Sequence, residues 1–468
     1  METAATVDAS IPVRESWPLW QRCLFRFVLL YYAIYAFPGP LGSLARTIQG
    51  GLVHVGLDPS LEPWSWIGIS LQWIGEAWQS ITSKMAELGC SPYEVIHQRT
   101  GSGDTGHAFA KFLFALSVAS LGMLLWCGVS SARAYPRLGR WLHLCVRFDL
   151  AFALLGYGSA KFYGGQFGEL TLARLTQEIG DTWPMTMVGT FLQASKPYEL
   201  FGGACEVLSA LLLFHRRTAL LGACFAIATM TNVCALNWLY GVPVKLYSSH
   251  LLLYGIGLLA PFAPQLCAVF LRNRPSQPVD LRVARGALAR YALLLIGGAW
   301  VGSALLVTHL QGIEPKPWLA DRERTELYGL WTIESMKIDG EEVPLTSAER
   351  WRDFAIERNP TAWARELSGE RHFFELRYDA TTRIAQVKSR GSSESPAPWI
   401  AELGTKIVKG DPPLLLRNEE RGKPVDVERR SLLLRGSWNG RALELELVEK
   451  RFRLQTEFRL RQELPDFW

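Results

Sequence analysis

The chain has 468 residues, 49% of them hydrophobic and 18 of them Trp, yet only 20% charged, with a formal net charge of +5. The small positive excess, placed in short loops between apolar runs and in arginines of the tail, gives no footprint for nucleic acid. The near-neutral average hides two unlike parts: long apolar runs from about residue 19 to 308, then charged, alternating segments from about residue 320 to the end.

Residues 1–18 form a polar N-terminal segment that leads into an uncleaved anchor, because no small-residue cleavage signature follows the first apolar run. A helix needs about 20 mostly apolar residues to cross the hydrocarbon layer. Seven stretches meet that length: Leu19–Phe37, Ala108–Val129, Trp141–Ala160, Tyr198–Phe214, Thr218–Tyr240, Leu246–Leu271 and Ala287–His309. The expected helical domain is therefore 19–310, with a loop or interfacial insertion at 38–106 in which WSWIGISLQWIGEAW spaces its Trp residues as a helix does. Arginines gather at Arg14, Arg22 and Arg26, at Arg133, Arg137 and Arg140, at Arg216 and Arg217, and at Arg272, Arg274, Arg282 and Arg285. All four groups fall on one side of a seven-span bundle, which places the N-terminus in the cytoplasm and the C-terminal domain outside it, in an inner or plasma membrane.

The opposite side collects the unusual polar groups. GSGDTGHAF (101–109) offers Asp104 as an N-cap of the second span, and GYGSAKF ends the third span on Lys161. SKPYELFGGACE sets Glu199 and Glu206 seven residues apart on one helical face. TNVCALNWLYGVPVKLYSSH carries Asn232 and Asn237 near the end of the fifth span and Lys245, Tyr247 and His250 at the start of the sixth. At 1.5 Å of rise per residue, Glu206 lies roughly 10 Å and Asn232 roughly 12 Å inside their spans. A charge at that depth costs about 2.5 kcal/mol or more, so such groups face a bundle interior or a wet cavity. Each has a plainer reading as well: Lys161 and Lys245 as lysines reaching the headgroups, Asp104 as a cap, the asparagines as bonds between helices. Arg147 and Asp149 read as packing partners in the inner half of the third span.

The eight cysteines show no CxxC spacing and no clustered ligand pattern, so neither a thiol oxidoreductase nor a metal site is indicated; they read as small apolar residues of the spans. GSGDTG lacks the Lys-Ser/Thr ending of a phosphate loop, and GxSxG, HExxH and CxxCH do not occur.

From GYGSAKF through ELFGGACEVLSALLLFHRR to NWLYGVPVKLYSSH, the block Leu142–Pro261 resembles the DoxX-like membrane proteins. More distantly it is similar to the horizontally transferred transmembrane family that includes vitamin K-dependent γ-carboxylase. The resemblance implies a four-helix membrane core and a link to quinone-coupled redox complexes. In the carboxylase family a membrane-embedded Lys is the base for a hydroquinone, and Lys161 holds a similar place in a Tyr-x-x-Ala-Lys pattern that begins at Tyr157. Extra helices flank the matched block, and carboxylation itself is not carried over. The expectation is a putting-together of these residues as a quinone site: Lys161 and His250 handle protons, while Tyr157, Glu199, Glu206, Asn232, Asn237, Lys245 and Asp104 line or tune it. The lipid bilayer and the subunits of a membrane redox complex are the expected partners. A non-enzymatic assembly scaffold is the alternative, and a small-solute or proton transporter using Glu206 and Arg147 a third.

The last domain, 320–468, reads as an antiparallel β-barrel or sandwich. Strands are expected at TELYGLWTIESMKI, closed by the Asp339-Gly340 turn, and at RHFFELRYD, TRIAQVKS, SLLLRGSW, ALELELVEK and LQTEFRLRQ. Thr346–Leu367, with Trp351 and Trp363, reads as a helix over one end. Gly329-x-Trp331 resembles lipocalin-like domains, whose barrel either holds a small apolar ligand or is filled by its own side chains.

Overall fold

The computed structural model describes residues 16–36, 103–313 and 324–450 with short breaks, plus scattered helical positions between 70 and 84. Most of the 38–106 insertion, Cys90 and the expected strand LQTEFRLRQ lie outside the described residues. Two compact units result, 1–168 with 183–314, and 169–182 with 315–468.

The first unit is helical: α1 (Leu19–Tyr35), α2 (Gly106–Val129), α3 (Pro136–Phe162), α4 (Pro184–Ala194), α5 (Lys196–Phe214), α6 (Ala219–Leu239), α7 (Lys245–Leu259) and α8 (Ala287–Ile313). Local chemistry sets the boundaries. Thr105 caps α2 by accepting from the Ala108 amide at 3.2 Å, Pro136 opens α3 where its missing N–H is harmless, and Ser195 caps α5 ahead of Pro197. Beyond α7 the helical path runs on through a 3-10 turn and a π segment to Leu271.

The expected count of seven spans is not supported. Among the described residues, four helical stretches are long and apolar enough to cross a membrane: Gly106–Val129, Lys196–Phe214, Ala219–Leu239 and Lys245–Leu271. Helix α1 is 17 residues and contains Arg22 and Arg26, and the middle of α3 carries His143, Arg147 and Asp149. Leucines such as Leu121, Leu124, Leu125, Leu211, Leu221 and Leu253 are exposed on the four apolar stretches, a surface suited to lipid.

The core of this unit comes from four helices, with Leu150 and Leu154 of α3, Ala210 and Leu213 of α5, Ala223 and Ala226 of α6, and Leu251 and Leu258 of α7. Glycines let the backbones approach. A Cβ on Gly158 would stand 2.8 Å from the Gly203 carbonyl oxygen, and one on Gly222 would stand 2.8 Å from the Leu213 amide nitrogen. Such close approach is how helices gain packing where lipid is as apolar as leucine.

The second unit is a closed antiparallel barrel: β1 (Gly329–Ile338), the two-residue β2 (Glu341–Glu342), β3 (Trp351–Ile356), β4 (Thr361–Glu366), β5 (Arg371–Asp379), β6 (Ile384–Ser389), β7 (Ala397–Gly410), β8 (Val425–Trp438) and β9 (Arg441–Lys450). β2 pairs only with β1, β1 pairs with β3, neighbours in sequence pair in order from β3 to β9, and β1 closes the ring on β9, with Trp331 opposite Glu449 and Ile338 opposite Leu443. Closure leaves no long free edge. Asp339-Gly340 turns the chain from β1 to β2, both residues at positive φ, as the sequence predicts; Asn439-Gly440 does the same between β8 and β9.

The barrel interior is filled. Trp331, Trp351, Phe354, Phe374, Trp399, Met336 and Leu445 interdigitate there, with the Arg430 guanidinium 5.1 Å from the Trp331 ring centre. A Cβ on Gly436 would lie 2.2 Å from Trp399 Cδ1. Gly436→Ala is therefore expected to cost about 1–3 kcal/mol through overpacking, read as an earlier thermal transition in tryptophan fluorescence.

Thr346–Leu367 is not a helix; it forms β3 and β4. Trp351 and Phe354 face the barrel interior, while Ala355 and Trp363 are buried on the outside. Burial on both faces erased the period-2 alternation that marks a half-buried strand. The outer cover is Leu172, in the single helical turn Leu172–Leu175, packed against Leu330, Ala355 and Trp363. Polar bonds pin the same segment. The Ala173 amide donates to Glu357 Oε1 at 2.9 Å, Arg365 donates to the Thr176 carbonyl at 2.9 Å, and Arg371 donates to the Ala173 carbonyl and Thr176 Oγ1. Arg365 also pairs with the buried Asp353, and Glu169 bonds Arg358 and Arg324. Burial raises the Glu169 pKa, but these two guanidiniums outweigh it and hold the carboxyl below its usual range. Residues 169–182, which lie between α3 and α4 in the chain, are thus part of the β unit, an arrangement absent from the sequence-based division at residues 310–320.

Candidate functional site

The helical unit gathers polar side chains where α3 ends and α5 begins. Lys161 Nζ donates to Glu206 Oε2 at 2.5 Å, and the two side chains are only 10% and 4% exposed. Gly203, one turn before Glu206, makes the pair possible, since a Cβ there would sit 3.1 Å from Lys161 Cβ. Lys196 Nζ donates to Glu199 Oε2 at 2.7 Å and to the Lys161 carbonyl at 3.3 Å, joining the second Lys–Glu pair to the first.

Two buried atoms in this region lack a hydrogen-bond partner among the described residues: Glu199 Oε1, an acceptor, and Asn237 Nδ2, a donor. Helices α5 and α6 run antiparallel with Gly222 against Leu213, so fifteen residues up α6 and fourteen back along α5 bring Asn237 and Glu199 to the same level. An unmade bond at a buried polar atom costs about 1–3 kcal/mol, and here a donor and an acceptor share one layer.

Asn232 does not join them. It is exposed, because five residues at 100° each turn it about 140° around α6 from buried Asn237.

His250 belongs to a separate cluster. Its Nδ1 donates to the Leu246 carbonyl at 2.6 Å, so the neutral ring presents Nε2 as acceptor to the Tyr31 hydroxyl at 2.5 Å. Tyr35 stacks on the ring with centroids 4.0 Å apart, Phe112 meets it edge-on at 5.8 Å, and Lys111 Nζ lies 5.7 Å from the Tyr35 centroid. No hydrogen bond joins His250 to Lys161 among the described residues. Tyr157 of α3 and Tyr247 of α7, both about 40% exposed, face each other at 6.1 Å. The sequence reading missed Tyr31 and Tyr35; their signal was a pair of tyrosines at i, i+4 near the end of the first apolar run.

Asp104 caps a helix, but a different one from that expected. Its carboxylate accepts from the Lys245 and Leu246 amides of α7 at 2.8 and 3.0 Å, with Lys245 Nζ at 3.5 Å, while the Gly103 amide bonds the Pro243 carbonyl. Thr105 takes the α2 position because its hydroxyl is the one at the required offset. Asp104→Ala is expected to cost about 0.5–2 kcal/mol and to speed hydrogen exchange at the Lys245 and Leu246 amides. At the opposite end of the bundle Arg147 is buried, with Nε unpartnered among the described residues, and His143 bonds the Leu258 carbonyl at 3.3 Å.

No protein-family model matches the chain, and no solved structure matches it. A stretch of 136 residues, 29% of the chain, is 34% identical to the uncharacterized protein YwoB of Bacillus subtilis (strain 168) and spans 84% of that protein.

Proposed function

The chain belongs to the family of the uncharacterized protein YwoB, and from that premise we propose that its helical unit is a quinone-linked redox component of a bacterial inner membrane. The observation that carries this reading is that Glu199 Oε1 and Asn237 Nδ2 lack partners among the described residues, while Lys196 ties Glu199 to the Lys161 carbonyl next to the buried Lys161–Glu206 pair. A quinone and its hydroquinone offer the matching groups, a carbonyl for the amide donor and a hydroxyl for the carboxylate. Lys161 holds or releases a proton toward Glu206, Tyr157 and Tyr247 supply ring faces, and the His250–Tyr31 pair forms a second proton-holding group.

The same reading puts the Lys161 end of the bundle toward the outside. Arg22 and Arg26, Arg133 to Arg140, Arg216 and Arg217, and Arg272 and Arg274 all fall at the other helix ends, a cytoplasmic signature that requires α3 to cross together with the four apolar stretches. The β-domain is then extracytoplasmic, since residues 169–182 of its unit follow the Lys161 end of α3.

The test is to extract lipophilic molecules from protein purified in mild detergent and identify them by mass spectrometry. A quinone near one equivalent in the wild type, absent from Asn237→Leu and Glu199→Gln, is the expected result. Bulk phospholipid alone in all samples favours the scaffold reading. That reading has its own support: Lys161–Glu206, Lys196–Glu199, Tyr31–His250 and Asp104–Lys245 are already mutually bonded, as helix-locking groups would be.

A further inference from the structure

At the end of the helical unit away from Lys161, the fold brings together two cysteines that lie 104 residues apart. Cys23, one turn into α1, and Cys127, near the end of α2, have their Sγ atoms 3.4 Å apart. Met123, one helical turn before Cys127, places its Sδ 3.8 Å from Cys127 Sγ. Three soft sulfur donors thus meet between α1 and α2.

The fourth member is a charge. Arg26, one turn beyond Cys23, is 1% exposed, and its bonded partners are neutral: the Tyr135 hydroxyl at 2.7 and 3.0 Å and the Ser130 carbonyl at 3.4 Å, with the Trp126 and Tyr135 rings beside it. Among the described residues it has no carboxylate partner. A buried guanidinium in such company favours a negative group nearby, and Cys127 lies within its reach.

We propose that Cys23, Cys127 and Met123 form a binding site for a soft monovalent d10 cation, Cu(I) in the cell. Two thiols lose two protons on binding, leaving a cation with two thiolates and one thioether and a net charge of −1, which the Arg26 guanidinium balances. Sulfurs 3.4 Å apart both reach an ion at a metal–sulfur distance of about 2.3 Å. Thiolate and thioether select Cu(I) over harder ions, and Zn(II) would want a fourth donor. No cluster of three His, Cys, Asp or Glu exists among the described residues to supply one. The site is independent of the quinone reading.

The experiment uses the reduced full-length chain in detergent, titrated with Cu(I) against a chromophoric Cu(I) chelator and with Ag(I) as a redox-inert probe. One tight equivalent is expected in the wild type and in Cys224→Ser and Cys267→Ser, which alter exposed thiols elsewhere. It should vanish in Cys23→Ser and Cys127→Ser and weaken in the near-isosteric Met123→Leu. Arg26→Gln should weaken it about 10–100-fold as an outer partner does. In the wild type, bound Ag(I) should also shield Cys23 and Cys127 from alkylation, read by peptide mass spectrometry, a result that needs no variant to fold. Equal Cu(I) affinity in Cys23→Ser, no shielding by Ag(I), or a Cys23–Cys127 disulfide that reductant leaves closed would each overturn the proposal.

Discussion

Lys161→Met is expected to lower the stability of the helical unit by about 3–5 kcal/mol, because it strands the Glu206 carboxylate between α3 and α5 with its partner gone. Glu206→Met should cost a similar amount by stranding the ammonium. The double variant Lys161→Met/Glu206→Met should recover most of the loss, since two apolar side chains of similar volume need neither solvation nor a partner. Thermal unfolding in detergent, followed by tryptophan fluorescence, checks all three. The double variant also separates the two functional readings. If it is stable and has lost a co-purifying quinone, the pair serves binding; if it is stable and assembles with its partners as the wild type does, the pair is a lock between helices. Additive losses in the double variant would show that the two charges do not interact as their 2.5 Å separation requires.

Leu172→Asp should be the most damaging single change in the β unit. Leu172 is 1% exposed against Leu330, Ala355 and Trp363, and Leu172→Ala alone is expected to cost about 2–5 kcal/mol through lost contacts and the cavity left behind. A carboxylate in that place adds the cost of an unpaired buried charge. The readout is specific: hydrogen exchange should accelerate in β1, β3 and β4 and proteolysis should open residues 169–182, while the α3–α5–α6–α7 core keeps its protection. Unchanged exchange in β3 and β4 would mean that the barrel does not depend on this cover.

The residues of the candidate site were legible as an unusual set, and their pairing was not. Lys161, Glu199, Glu206 and His250 stand out because charge or imidazole inside an apolar run is costly and needs a reason. Which of them meet depends on helix rotation and level. Glycines at 158 and 203 set the approach of α3 to α5 and so join Lys161 to Glu206, while His250 faces Tyr31 and Tyr35 of α1 instead. Asn232 and Asn237 look alike in sequence, yet five helical steps put one outside and one inside.

By itself the sequence determined the division into an apolar helical part and a β part, the sites of most helix ends and the tight turn at Asp339-Gly340, because these follow from side-chain solubility and from dihedral limits that act within a few residues. Only the tertiary structure decided that Thr346–Leu367 pairs as strands and that Asp104 caps α7. It also decided that Leu172 covers the barrel and that Cys23 meets Cys127. Each of these joins residues distant in the chain, and the energy that selects such a contact comes from surfaces that exist only once the helices and strands have packed.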